Sequence, residues 1–260
     1  ILYILFYNYM IDIESISYEY IYILIIFIII YLFYSSRYMF GIVLCCFDRP
    51  EYLEKTLNSL KSSNLNNTII CIIDDHSSNS KTIDLIQNFK IPGIDIIKIR
   101  NEVNMGINHS LLKGFNKIYP LCEYMTNIDS DVIMKSNWLD TLYETYISTK
   151  NYNINSYESI VTGFNCNQSC LHKIIKSYPE FHIKKSIGGI NMFFHRNIYD
   201  ILFVDILKNS PKNHGWDWNI VNKSNELNIK LVSTNPSVIQ HIGYKGLNSN
   251  ETMVDIAEDY

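Results

Sequence analysis

This chain of 260 residues contains almost no alanine, no regularly spaced cysteine pairs and no large excess of charge of one sign. Its six cysteines include no C-x-x-C pair, which excludes the usual spacing of a zinc site and favours free thiols in the core. The net charge of −4 at pH 7 gives no electrostatic argument for binding nucleic acid. Apolar residues make up 47% of the chain, so it can bury the core of one large domain or two small ones.

The first 38 residues differ in composition from the rest. Residues 20–34 form an uncharged apolar run, which is shorter than the roughly 20 residues that cross a bilayer. Residues 16–39 lengthen this run, and tyrosines at both ends suit a membrane interface. We expect residues 1–38 to be either a membrane anchor or an extension foreign to the native protein. The first alternative predicts membrane association and the second a cytoplasmic protein.

After this segment, apolar runs alternate with amphipathic, helix-like stretches. The predicted strands are Phe40–Phe47, Thr68–Ile73, Ile94–Ile99 and the run that ends before Asp129. Strand–helix alternation at this spacing predicts an α/β fold with a mostly parallel central sheet and helices on both faces. We expect this domain to cover residues 39–243, followed by a loop or tail at 244–260.

Polar or acidic segments follow three of the predicted strands. They are Asp48-Arg49, Asp74-Asp75 and Asp129-Ser130-Asp131. Ligands of such sheets bind beyond the carboxyl ends of the strands, so three segments there predict a nucleotide site. Paired carboxylates and substrate phosphates are typical ligands of Mg²⁺ and Mn²⁺. A D-x-D segment taken alone is also compatible with a polar turn.

In order and spacing, these segments resemble the nucleotide-binding half of GT-A fold glycosyltransferases, above all glycosyltransferase family 2. The resemblance covers residues 40–134, more than a third of the chain, and includes its most specific motifs. The matching segments are Ile42–Pro50 with Leu53, Ile72–Ser78, Asn101-x-x-Asn104-x-Gly106 and Asn127–Asp131. Cys45-Cys46-Phe47 is a departure, because the family often has small polar residues there.

The resemblance implies a GT-A fold, a UDP-sugar donor and a divalent cofactor, Mn²⁺ or Mg²⁺. It implies that Asp74 or Asp75 binds the base, and that Asp129 and Asp131 bind the metal on the diphosphate. The nucleotide-binding residues carried over by position are Cys46, Phe47, Asp48, Arg49, Asp74, Asp75, Asn104, Asp129 and Ser130.

The second half contains an aspartate between two tryptophans, Trp216-Asp217-Trp218, just before a predicted helix at Ile220–Leu227. Asp217 can be a helix N-cap, or it can be a general base against an apolar wall on which a sugar ring packs. The segment resembles the acidic motif that supplies the base in inverting GT-A enzymes, so Asp217 is our catalytic candidate. Gly189 lies in a glycine turn that feeds a strand and faces either the acceptor or the core.

His241 follows a short apolar strand and precedes a glycine. Neutral imidazole suits Mn²⁺ better than Mg²⁺, and the position resembles the C-terminal metal-binding histidine of many GT-A enzymes. Lys245 would then be a counter-charge over the diphosphate, unless residues 244–260 are only a mobile tail.

These interpretations together predict transfer of a sugar from a nucleotide-sugar to a glycan, lipid or protein hydroxyl, with inversion and with the help of a metal. A retaining mechanism stays open at this point. So does a nucleotidyltransferase, although the loop after the first strand lacks the glycines that usually hold a triphosphate. A third alternative is a non-catalytic carbohydrate-binding protein of the same fold.

Overall fold

The computed structural model describes residues 20–26, 38–152, 158–166, 172–212, 215–244 and 255–260. The chain divides into two compact units, residues 1–37 and residues 38–260. In the first unit, residues 20–26 are helical. Within the described ranges, no helix combines the length and the apolar character that crossing a membrane requires. The predicted anchor falls mostly outside these ranges and gains no support.

The second unit is built on a nine-stranded sheet, and a separate pair of short strands lies beside it. In chain order the strands are β1 Tyr38–Cys46, β2 Thr68–Asp74, β3 Asp95–Arg100, β4 Cys122–Asp129, β5 Val132–Met134, β6 Ser159–Thr162, β7 Ile174–Ser177, β8 Phe181–Lys184, β9 Asn191–His195, β10 Lys230–Thr234 and β11 Ile239–His241. The sheet order is β3-β2-β1-β4-β9-β6-β10-β8-β7, and only β8 and β9 run against the other strands. The predicted mostly parallel sheet is confirmed.

Helices cover both faces of this sheet. They are α1 Pro50–Lys61, α2 Ser80–Asn88, α3 Ile107–Ile118, α4 Trp138–Asn151, α5 Arg196–Ile198, α6 Val204–Asn209 and α7 Trp216–Glu226, with a π-helical stretch at Tyr199–Phe203 and a 3-10 turn at Tyr119–Leu121. Alternate residues of a strand point to opposite faces. In β1, Ile42 and Leu44 therefore join the core under α1 and α4, whereas Val43 joins the core under α3 and α7.

The buried strands follow from their composition. Every residue of β2 is buried, as the continuous apolar run predicts for a strand covered on both faces. In α1, Leu53, Leu57 and Leu60 are buried, and their spacing of four and three residues puts them on one apolar face of the helix. Cys45, Cys46, Cys71 and Cys122 are free and buried, as expected for core thiols, and Cys166 is buried too.

Strand register brings the predicted polar segments to one edge. Cys45 of β1 lies opposite Asp129 of β4, and Cys46 lies opposite Asp74 of β2. The carboxyl ends of these three parallel strands are therefore level with one another. The antiparallel strand β9 enters at the same edge, where Asp129 N donates to Ile190 O at 3.0 Å.

The two short strands β5 and β11 carry the C-terminal part of the chain to this edge. His241 of β11 pairs with Val132 of β5, and Ile242 N donates to Asp131 O at 2.9 Å. A histidine distant in sequence is thus fixed beside the D-x-D segment. The pairing uses only backbone groups, so the sequence motif alone does not reveal it.

The end of the chain packs onto this unit. Ser237 Oγ donates to Asp259 Oδ1 at 2.5 Å, and Ala257 exchanges two hydrogen bonds with the side chain of Gln240, at 2.9 and 3.0 Å. The segment predicted as a loop or tail therefore ends in residues 255–260 that bond to the core. Lys245, predicted as a counter-charge for the diphosphate, lies outside the described residues.

Candidate active site

A cavity of about 780 Å³ opens at the carboxyl edge of the parallel strands. Most of the residues predicted from the sequence line it, although they come from both halves of the chain. They are Cys46, Phe47, Asp48, Arg49, Asp75, Asn104, Asp129, Ser130, Asp131, Gly189, Trp216, Asp217, Trp218 and His241. The volume is within the range of pockets that hold small molecules.

The structure separates the two aspartates predicted to bind a base. Asp74 is not among the described residues that line the cavity, and its carboxylate accepts from Ser77 N and pairs with Arg100. Asp75 lines the cavity, and its carboxylate accepts the backbone N–H groups of Met105 and Gly106, both at 2.8 Å. Of the pair, Asp75 is therefore the one placed to meet a ligand, and it also anchors the loop before α3.

The loop between β1 and α1 has a conformation that the sequence did not indicate. Asp48 and Arg49 both have positive φ, at 50° and 58°, which is uncommon for residues other than glycine. Asp48-Arg49-Pro50-Glu51 is typical of a helix start with Asp48 as the N-cap, but Arg49 takes that position, with no side-chain cap. Asp48 Oδ1 instead accepts the N–H groups of Ser78 and Asn79, at 2.9 and 2.8 Å. The carboxylate thus ties the loop after β1 to the loop after β2.

The carboxylate of Asp131 contacts two basic side chains of the site. Its Oδ2 pairs with Arg49 Nη2 and lies 3.4 Å from His241 Nε2. Gly243 lies close to this carboxylate, since a Cβ there would be 2.0 Å from Asp131 Oδ2. The predicted Asp131–His241 pair is therefore brought together.

The charges of this cluster influence one another. Burial and the neighbouring Asp131 raise the pKa of Asp129 well above its usual range. Burial alone would raise the pKa of Asp131 too, but hydrogen bonds from His241 and Arg49 bring it below the usual value. Burial opposes protonation of His241, yet Asp131 and Asp129 raise the pKa of its imidazole. Two carboxylates this close favour a cation between or beside them.

The donor types of the cluster match a hard divalent ion, with two carboxylates and one imidazole. As arranged, however, no three His, Cys, Asp or Glu side chains of the described ranges form a group able to hold a metal ion. The Arg49 guanidinium takes the place of a cation at Asp131. The two carboxylates and the imidazole would suit Mn²⁺ or Mg²⁺ as ligands if Arg49 left Asp131.

Asp217 lies inside the first turn of a helix. The helix α7 begins at Trp216 rather than at the predicted Ile220, which corrects the expected boundary, and Gly215 precedes it in the left-handed conformation. Asp217 Oδ1 accepts the N–H of Trp218 at 2.9 Å. The carboxylate is half-buried and lines the cavity, so it can contact a ligand while it bonds to the helix terminus.

The two tryptophans around it have different surroundings. Trp216 is 6% exposed and packs against Gly189, where a Cβ would be 2.7 Å from its ring. Trp218 is 42% exposed. Gly189 therefore allows close approach of the turn before β9 to α7, and Trp218 presents its ring to the cavity.

Other cavity residues were missed from the sequence. His172 lines the cavity and its ring stacks against Trp218, with centroids 5.8 Å apart. Asp255, from the C-terminal segment, lines it too. Neither residue belongs to a short motif, so no local signal marks them. Glu180 and Asp205, two further acids of the second half, are not among the described residues that line the cavity.

A comparison with known families identifies the family of this chain. The family model described as "Glycosyl transferase family 2" matches residues 41–202, more than half of the chain. The chain belongs to glycosyl transferase family 2. The match spans the D-x-D segment and the Gly189 turn, and it confirms the resemblance seen in the sequence. No curated protein matches this family 2 chain.

Solved structures share its fold. The structure of S. aureus TarS 1-349 in complex with UDP-GlcNAc has a TM-score of 0.57 and 12% identity, and the match covers 75% of this chain and 55% of that one. The structure of GalNAc-T7 with UDP, GalNAc and Mn²⁺ has a TM-score of 0.60 and 14% identity, covering 83% and 46%. The chain thus spans about half the length of these proteins. At such identities the likeness concerns the fold.

Proposed function

We propose that the protein transfers a sugar from a nucleotide-sugar, a UDP-sugar, to an acceptor hydroxyl with inversion at the anomeric carbon. One observation carries this proposal: the Asp131–His241 pair and Asp217 line a single cavity at the carboxyl edge of the sheet. Membership of family 2 supports glycosyl transfer rather than nucleotidyl transfer. The UDP-GlcNAc in the TarS structure and the UDP in the GalNAc-T7 structure support a UDP-linked donor.

Asp129, Asp131 and His241 are the residues that would hold Mn²⁺ or Mg²⁺. When bound, the ion supplies Lewis-acid neutralisation of the charge that develops on the diphosphate. The loop residues Cys46–Arg49, with Asp75 and Asn104, would contact the nucleotide. Asp74 is the weaker candidate, because it pairs with Arg100 away from the cavity.

Asp217 is the proposed general base. The acceptor oxygen attacks C1 of the sugar, the bond from C1 to the diphosphate oxygen breaks, and its electron pair leaves with the nucleoside diphosphate. Asp217 takes the proton of the acceptor hydroxyl as the new bond forms. Attack from the side opposite the leaving group inverts the anomeric centre, and no enzyme nucleophile is needed.

The test is a panel of nucleotide-sugars incubated with the full chain and Mn²⁺, with release of the nucleoside diphosphate as the readout. Release from at least one UDP-sugar, abolished by chelator, is the expected result. The anomeric configuration of the product, read by NMR, then separates inversion from retention. The absence of turnover with every nucleotide-sugar, together with the absence of binding by titration calorimetry, would overturn the proposal.

A further inference from the structure

His172 and Trp218 form an aromatic pair in the wall of the cavity. Their rings are nearly parallel, at 20°, with centroids 5.8 Å apart. Both residues line the cavity together with Asp217, which follows Trp216 on the same helix turn. The pair thus lies next to the group proposed to take the acceptor proton.

Trp218 is available to a ligand. Its side chain is 42% exposed, whereas Trp216 on the same helix is 6% exposed and belongs to the core. Trp is a large apolar ring, and ligand cavities characteristically combine such rings with a few convergent polar groups. Within this site, Trp218 supplies the ring.

His172 supplies a polar group beside it. Its Nδ1 lies 2.9 Å from the hydroxyl of Ser186, and Ser186 is 3% exposed, so a buried partner fixes the ring. The other nitrogen, Nε2, faces Gly188, where a Cβ would be 3.8 Å away. Because Gly188 has no side chain, a ligand group has room beside Nε2.

The charge state of this ring suits hydrogen bonding. Burial and then the Lys184 ammonium lower the pKa of His172, while Asp255 and Asp217 act in the opposite direction. A neutral imidazole has one donor and one acceptor nitrogen. His172 can therefore donate to or accept from a hydroxyl group.

We propose that the acceptor is a saccharide whose pyranose ring packs on Trp218 while one of its hydroxyls bonds to His172 Nε2. This inference rests on the proposed function and names the acceptor of that same site. A pyranose has an apolar C–H face and a rim of hydroxyls, which matches an aromatic ring flanked by an imidazole and a carboxylate.

Other acceptor classes match the site less well. An extended peptide commonly binds by adding a strand to an open sheet edge, but β9, which follows the Gly188-Gly189 turn, is paired on both sides by β4 and β6. A lipid alcohol needs a continuous apolar groove. The groups that surround His172 are instead Trp218, Ser186, Gly188 and the charges of Lys184, Asp217 and Asp255.

The chemical step is the one given under the proposed function, with the same bonds formed and broken. A second hydroxyl of the same saccharide, next to the one that His172 binds, attacks C1 of the donor sugar. Its proton passes to Asp217, and the electron pair of the broken C1–O bond leaves with the nucleoside diphosphate. The product is a glycoside of the acceptor saccharide.

The experiment uses the full chain with Mn²⁺ and the nucleotide-sugar that is hydrolysed fastest. A panel of p-nitrophenyl hexopyranosides is compared with a Ser/Thr peptide and with 1-decanol, and mass spectrometry detects the products. We expect transfer to at least one glycoside. Trp218→Ala and His172→Gln should each raise the acceptor KM by about tenfold more than the donor KM, the effect of losing one good contact.

His182→Gln is the matched control. Its Nδ1 also lies near a serine hydroxyl, 3.0 Å from Ser177 Oγ, but it is not among the described residues that line the cavity. We expect both KM values of this variant to stay within about twofold of the parent, the effect of a neutral surface change. If a cavity variant does not fold, saturation-transfer NMR of the parent with UDP and the glycoside still tests the contact, and the pyranose protons should receive the signal.

The outcomes are distinguishable. Transfer to the peptide or to decanol with no glycoside accepted would overturn the saccharide inference and leave the proposed function standing. An acceptor KM that stays within about twofold in both cavity variants would overturn it as well. The absence of donor hydrolysis and of transfer to every acceptor would overturn the proposed function itself.

Discussion

Arg49 and Asp131 form an ion pair inside the cavity, between the loop after β1 and the D-x-D segment after β4. The same carboxylate oxygen lies 3.4 Å from His241 Nε2, so a positive guanidinium stands where the proposed metal would bind. Arg49 Nε is buried with no hydrogen-bond partner among the described residues. If Asp129, Asp131 and His241 hold a divalent ion, Arg49 would leave Asp131, and this arginine is incompletely satisfied where it is.

This exchange of Arg49 for a metal ion at Asp131 predicts the effect of Arg49→Gln on metal binding. Removal of the competing charge from Asp131 should tighten binding of Mn²⁺ alone by roughly tenfold, the equivalent of about 1.4 kcal/mol. Calorimetry or the electron paramagnetic resonance signal of free Mn²⁺ measures the affinity. Arg100→Gln is the control, because Arg100 pairs with Asp74 away from the cavity. Unchanged or weaker Mn²⁺ binding in Arg49→Gln would contradict the exchange.

A second prediction concerns nucleotide binding. Asp131→Asn should weaken UDP binding in Mn²⁺ by at least tenfold, because it removes a charged ligand of the proposed ion. In chelator, parent and variant should bind UDP equally weakly. Glu54→Gln is the control, since the Glu54 side chain is 46% exposed and pairs with Lys81 at the surface. UDP affinity that is the same with and without chelator in the parent would refute the metal site.

Much of the fold could be predicted because its signals are local. The all-apolar runs of β1 and β2 and the leucine spacing of α1 depend on residues close in sequence. The position of the acidic segments follows from the parallel arrangement, since strand ends meet at one edge. Cys45 opposite Asp129 and Cys46 opposite Asp74 are consequences of that rule.

The features that could not be predicted from the sequence depend on contacts between distant parts of the chain. Asp48-Arg49-Pro50-Glu51 satisfies the local rule for a helix start, yet Asp48 bonds to the loop after β2 instead, and this tie accompanies the left-handed backbone. The contact of His172 with Trp218 likewise joins two residues that are far apart in the chain. A pattern read along the chain contains no information on such pairs.

The boundary of the domain gives a third prediction. The compact unit begins at Tyr38, whose backbone pairs with Cys122 and whose hydroxyl donates to Asp95. A chain of residues 38–260 should fold, and one that begins at Met39 should melt about 2–4 °C lower, the effect of about 1 kcal/mol in a domain of this size. Circular dichroism melting compares the two. Aggregation of both, with the full chain stable, would show that residues 1–37 belong to the fold.

Two adjacent glycines give a matched pair. A Cβ on Gly189 would be 2.7 Å from the ring of Trp216, whereas among the described residues the nearest atom to one on Gly188 is His172 Nε2 at 3.8 Å. Gly189→Ala should therefore cost about 1–3 kcal/mol through overpacking. Gly188→Ala should stay within about 0.5 kcal/mol of the parent. Chemical denaturation measures both, and equal stability of the two variants would contradict the close approach of this turn to α7.

The last prediction concerns Asp217, which the structure places in the first turn of α7 with Oδ1 on the N–H of Trp218. Asp217→Asn keeps an oxygen that can accept this bond, so the loss of stability should be limited to the charge, about 0.3–1 kcal/mol at a helix N-terminus. It removes the proton acceptor, and loss of a general base typically lowers the rate by about 10²–10⁴-fold. We expect kcat to fall by that factor with UDP affinity near that of the parent.

Asp205 offers the control for this variant. It also lies in the first turn of a helix, α6, but its carboxylate accepts from Asn209 at 2.6 Å and is not part of the described cavity lining. Asp205→Asn should therefore keep its turnover, and its stability should stay within about 0.5 kcal/mol of the parent. Equal turnover in the two variants would reduce Asp217 to a structural residue of α7. Parallel loss of melting temperature and UDP binding in Asp217→Asn alone would lead to the same conclusion, because a base that acts only in the chemical step affects neither.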